Sequence, residues 1–156
     1  MQTISTATRL LAQKQELFQS YLQATQAMMD CELDDLEAHL QERTGLAGKI
    51  DLLDTELAGL CEGAPQMGLA VKNKCDRGDL PGELLPVFDA AQSVFAVINQ
   101  VANLEPQIVL RMQDARQELE GLIKASNTKP KIARYLDTLD PTLESGSLMR
   151  AQSSKV

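Results

Sequence analysis

The sequence predicts an all-α fold: an antiparallel hairpin or bundle of long helices, then a short C-terminal helix and a flexible tail. Three observations point there. Apolar residues recur at three- and four-residue steps through most of the first 125 positions, the spacing that puts them on one helical face. Aromatic residues make up only 3% of the chain, with no Trp, so no large aromatic core is available. Leu, Ala, Met and Gln, all good helix formers, carry much of the composition instead. The 156 residues suffice for one domain.

The first helical segment runs from about Ser5 to Glu62. Its seam reads Leu11, Phe18, Leu22, Thr25, Met29, Leu33, Leu36 and Leu40, then Leu46, Ile50, Leu53, Leu57 and Leu60. No proline interrupts it. Gly45 and Gly48 each cost about 1 kcal/mol against Ala in a helix and coincide with a phase change between the two series, so a bend or a frayed turn is expected there. Residues 63–82 are punctuated by Gly63, Pro65, Gly68, Gly78, Pro81 and Gly82; a helical turn or two is expected within Met67–Asp76. The second long helix should start near Pro81 or Gly82, with Pro86 in its first turn, where a missing N–H costs little. Its seam reads Leu84, Val87/Phe88, Ala91, Val94/Phe95, Ile98, Val101, Glu105, Ile108, Met112, Ala115, Leu119 and Leu122. The pattern keeps its phase across Pro106, so a kink near 102–106 is expected there instead of a stop. Ser126-Asn127 should end the helix.

The chain therefore divides into a helical domain, 1–125, and a tail, 126–156. Within the tail a short helix is expected over about 129–139. Thr128 caps it, Pro130 suits its first turn and Pro141 stops it. Ile132, Tyr135, Leu136 and Leu139 share one face. Residues 142–156, rich in Ser and without pattern, are expected to be disordered.

Charge narrows the function. The net charge is −7 and the pI about 4.7. Residues 1–125 hold 10 basic and 19 acidic side chains, net −9, whereas the tail holds 5 and 3, net +2. Nucleic-acid binding needs Lys and Arg against phosphates, so nucleic acid is not an expected partner. No apolar run approaches 18 residues, so no membrane span is expected, and the polar N-terminus lacks a signal-peptide core. The expected location is the cytoplasm, with Cys31, Cys61 and Cys75 as free thiols. His39, the only histidine, has Asp35 four residues before it, too little for a metal site. The run Asp30, Glu32, Asp34, Asp35, Glu37, Glu42 contains no basic residue and reads as a solvated face or as a docking surface for a basic partner. No phosphate loop or nucleophile–base pair appears, so neither enzymatic activity nor any cofactor or metal is expected.

The apolar stripes are wider than two packed helices require. Doublets at Leu10/Leu11, Leu17/Phe18, Tyr21/Leu22, Met28/Met29 and Leu52/Leu53 broaden the first; Val87/Phe88, Val94/Phe95 and Val97/Ile98 broaden the second. Such width calls for a third neighbour: the tail helix, a second copy of the chain, or a foreign amphipathic helix bound in a groove. The candidate partner-binding residues are Val87, Phe88, Val94, Phe95, Ile98, Val101, Ile108, Met112 and Leu119, with Tyr135 as an aromatic docking residue on the tail.

Leu10-Leu-Ala-Gln-Lys-Gln-Glu-Leu-Phe-Gln-Ser-Tyr-Leu22, the acidic Asp30–Glu37 stretch, Lys49-Ile-Asp-Leu-Leu53, the polar Asn99, Gln100 and Asn103, and a tail bearing one tyrosine together resemble the flagellar type III export chaperones of the FlgN and FliT group. The resemblance is diffuse and covers most of the chain. It implies a cytoplasmic chaperone that binds the C-terminal amphipathic helix of hook-filament junction or cap proteins, keeping it soluble for export. It also implies that Tyr135 docks on a component of the export gate. The family's tyrosine commonly precedes a glycine; here Leu136 follows. The alternative is a self-associating coiled-coil scaffold, acting as a homodimer without a secretion role.

Overall fold

The computed structural model describes residues 2–125. The expected tail helix at 129–139, the expected disorder of 142–156 and the docking role of Tyr135 lie outside the described residues. Within them every regular element is helical: α1 (Gln2–Asp30), α2 (Leu33–Cys61), α3 (Pro65–Lys72), two 3₁₀ turns (Arg77–Asp79 and Gly82–Leu84) and α4 (Leu85–Ala125). The all-α class, the short helix after residue 63 and the start of the last long helix agree with the sequence reading. Pro86 is the second residue of α4, and α4 continues through Pro106 without a stop.

The first long segment differs. It is a hairpin of two helices that reverses at Cys31-Glu32, and α2 runs unbroken through Gly45 and Gly48. The helical repeat of each strand of this hairpin explains why. On α1 the buried seam is Ala7, Leu11, Lys14, Phe18, Tyr21, Thr25 and Met28, in alternating steps of four and three. On α2 the same alternation runs Leu36, Leu40, Arg43, Ala47, Ile50, Asp54, Leu57 and Cys61, all buried or half-buried. Arg43 holds the seam position between Leu40 and Ala47. A seam traced through apolar residues alone jumps from Leu40 to Leu46, and this jump is the phase change seen around the glycines. An added Cβ at Gly45 or Gly48 would meet no atom within 4 Å; both are surface positions. Leu22, Met29, Leu33, Leu46, Leu53 and Leu60 flank the true seams and are half-buried.

The turn itself has a physical cause. Asp34 and Asp35 stand in the first turn of α2, where the helix dipole favours negative charge. The amide of Asp35 donates to the Glu32 carbonyl at 3.0 Å. Part of the acidic run is thus the start of a helix. The last turn of α1 has no basic residue of its own. Arg111 of α4 supplies one, donating from Nε to the Met28 carbonyl and from Nη2 to the Cys31 carbonyl, both at 3.1 Å. It thereby satisfies carbonyls that a helix end leaves open.

The chain forms two compact units. Unit 1 comprises α1 to Gln23 and Thr44–Ala102. Its core joins Ala7, Leu10, Leu11 and Phe18 of α1, Ile50 and Leu57 of α2, Met67 and Ala70 of α3, and Leu84, Val87, Phe88, Ala91, Val94 and Val97. Gly63, at φ +71°, turns the chain out of α2, a conformation that glycine adopts without a Cβ penalty. Asn73, left-handed at φ 52°, ends α3. Its side-chain amide donates to the carbonyls of Ala70 and Phe88 at 2.9 and 3.2 Å, tying α3 to α4. Unit 2 comprises Ala24–Arg43 and the chain from Asn103. Its core is Met28, Leu36, Leu40, Ile108, Met112, Ala115 and Leu119.

Along α4 the division falls between Ala102 and Asn103. Pro106 has no N–H to donate to the carbonyl of Ala102, four residues back. The local weakness of the helix and the boundary of the units therefore coincide.

Within Gly82–Ala125 an 18-residue window reaches a mean hydropathy of 1.3, long and apolar enough to cross a bilayer by length and composition. Core positions account for much of that hydropathy: Leu84, Val87, Phe88, Ala91, Val94, Val97 and Val101 are all buried.

Candidate functional site

Seven of the residues assigned from sequence to a foreign partner are internal. Val87, Phe88, Val94, Val101, Ile108, Met112 and Leu119 are at most 8% exposed. Phe95 and Ile98 are half-buried against the core of unit 1. The extra width of the stripes is used inside the chain. Counting one helix before residue 62 leaves a neighbour missing; counting two supplies it.

What remains on the surface lies elsewhere. In unit 1 a shallow depression runs between α1 and α2, lined by Gln13, Glu16, Leu17, Lys49, Leu52, Leu53 and Glu56. Its lining combines three leucines with the charged Glu16, Lys49 and Glu56. Of the doublet Leu52/Leu53, Leu53 packs against the core, and Leu52 stays 68% exposed. A second depression in unit 1 is lined by Thr3, Ile4, Ala64, Pro65, Gln66, Met67, Glu83 and Leu84. On α4 in unit 2, Leu110 and Leu122 are exposed.

Polar groups inside the seams escaped the sequence reading, which noted only Glu105 and Thr25. Lys14 of α1 pairs with Asp54 of α2 at 2.5 Å in unit 1, and its ammonium lies 6.0 Å from the centroid of the Phe18 ring, within cation–π range. In unit 2, Arg43 Nη2 meets Glu105 Oε1 at 3.0 Å, and Nη1 contacts Met28 Sδ at 3.4 Å. The Arg43 side chain is fully buried, that of Glu105 20% exposed. The available sequence signal was the four–three step itself, which lands on these residues whatever their polarity.

Burial pushes the Cys61 thiol above its ordinary range, with the Lys72 charge opposing. His39 Nδ1 lies 3.9 Å from Glu42 Oε2, one turn along α2. Among the described residues no three His, Cys, Asp or Glu side chains converge as metal ligands would.

The chain matches no protein-family model, no curated protein and no solved structure.

Proposed function

We propose that the chain is a helix-binding protein, and specifically a cytoplasmic export chaperone. In this reading it covers the C-terminal amphipathic helix of a flagellar hook-filament junction or cap protein, and Tyr135 of its tail engages an export-gate component. The identity of the cargo rests on the sequence resemblance. The mode of binding is supported by the α1–α2 depression of unit 1. A lining of three leucines, one of them exposed, together with Glu16, Lys49 and Glu56 suits an amphipathic helix laid in a groove.

Co-elution of the full chain with the C-terminal helical segments of junction and cap proteins tests this. Binding is expected, with Leu52→Glu weakening it by tenfold or more while the fold is retained by circular dichroism. No shift with any such segment would remove the reading. Tyr135→Ala is expected to leave cargo binding intact and reduce delivery.

The exposed Leu52 also favours a second reading, in which another copy of the chain fills the depression and the protein is a self-associating scaffold. Sedimentation equilibrium separates the two, since a monomer at micromolar concentration removes the scaffold.

A further inference from the structure

The helices of this protein carry repeating seams that do not by themselves define one alignment. On α2 and α4 the seam steps alternate four and three over many turns, through Leu36, Leu40 and Ile50 on one side and Ile98, Val101, Ile108 and Met112 on the other. Moving one such seam along the other by seven residues brings apolar side chains opposite apolar side chains again, after a displacement of about 10 Å at 1.5 Å per residue. Apolar contact is non-directional and discriminates weakly among such alignments.

We propose that the Arg43–Glu105 pair is the register lock of α2 on α4 in unit 2. Three observations carry this. Both residues occupy seam positions, where each replaces an apolar side chain. The guanidinium is fully buried and reaches the carboxylate at 3.0 Å. The two residues are 62 positions apart in sequence, so the contact reports tertiary alignment and not local helix geometry. One heptad out of register, Arg43 would face Met112 or Ile98, and Glu105 would face Ile50 or Leu36. Each slipped alignment buries the guanidinium against an apolar side chain, losing the carboxylate that offsets its desolvation in the aligned state. Buried ion pairs contribute little to net stability when compared with apolar residues of similar volume, and alignment is their best-attested use. A slip would also carry Ala125, the end of the described α4, about 10 Å along the bundle, so the lock determines where the following chain begins.

The experiment uses the full chain with Cys31, Cys61 and Cys75 replaced by alanine and spin labels at the exposed positions Gln41 on α2 and Gln107 on α4. Electron–electron distance measurements are made on the parent, on Arg43→Met with Glu105→Leu, and on the exchanged pair Arg43→Glu with Glu105→Arg. The parent is expected to give one distance population. The apolar double variant is expected to melt no lower than the parent yet to show a second, displaced population. The exchanged pair is expected to return to one population. A single population at the parent distance in the apolar double variant would overturn the proposal. So would failure of that variant to fold, which would make the pair a source of stability instead of alignment.

Discussion

Among the described residues, unit 1 gathers fourteen buried apolar side chains into one cluster, and unit 2 gathers seven. Both draw on α1, α2 and α4, and both contain an ion pair placed in a helical seam. The pairs differ in burial. The Lys14 and Asp54 side chains keep 9% and 23% of their exposure, and the Arg43 and Glu105 side chains 0% and 20%, so the difference is in the cation. Unit 1 also includes α3, which Asn73 fastens to α4. Unit 2 relies on a narrower seam and on Arg111 closing the end of α1. The contrast lies in apolar area and in the cation: unit 1 joins the larger cluster to a slightly exposed Lys14, unit 2 the smaller cluster to a fully buried Arg43, and both carboxylates stay about one-fifth exposed.

The sharpest way to break this contrast is to remove the carboxylate of the unit 2 pair. Glu105→Leu leaves the Arg43 guanidinium buried without that carboxylate, and a loss of about 3–5 kcal/mol is expected, read by urea unfolding. The matching change in unit 1, Leu11→Ala, opens a cavity in the larger cluster and should cost about 2–5 kcal/mol. If the two units differ as described, amide exchange after Leu11→Ala should accelerate mainly in residues 2–23 and 44–102, and after Glu105→Leu mainly in 24–43 and 103–125. Uniform acceleration in both variants would merge the units into one cooperative body. Pro106→Ala restores a backbone donor at the division of α4. It should stabilise the chain by about 1–3 kcal/mol, with the slowest-exchanging gains expected around Ala102.

The smallest effect is expected at the surface of unit 1. Arg77 bonds Asp89 at 2.9 and 3.1 Å, with both side chains about half exposed. The hydrogen bond from Arg77 holds the Asp89 carboxyl below its ordinary range. Its contribution is therefore present above the unfolded carboxyl value of about 3.9 and lost as pH falls through the lower folded value. Arg77→Gln should abolish that acid-side dependence while barely changing the melting temperature at neutral pH, since solvent screens an exposed pair.

Much of this architecture was legible from residue spacing. The start of α4, its continuation through Pro106 and the short helix after Gly63 follow from proline position and seam phase. The hairpin at Cys31-Glu32 did not show, because neither glycine nor proline marks it and its acidic residues read equally well as a solvated face. Arg43 hid a second time over: as a charged residue it was excluded from the seam, and its exclusion displaced the expected bend to Gly45 and Gly48. The candidate site shifted for the same reason. Once α2 is a helix in its own right, Val87 to Leu119 are consumed internally, and the exposed member of the Leu52/Leu53 doublet becomes the more informative residue.

Arg111 has a consequence for the order of synthesis. The carbonyls it closes belong to Met28 and Cys31, residues made 83 and 80 positions earlier. At about 5–20 residues per second of translation, the tip of the first hairpin waits roughly 4–16 s for the side chain that seals it. Throughout that interval Met28, Leu36 and Leu40 also lack Ile108 and Met112. Until then the apolar side chains at the tip of the first hairpin have no α4 partner, and Ile108, Arg111 and Met112 are its delayed clasp.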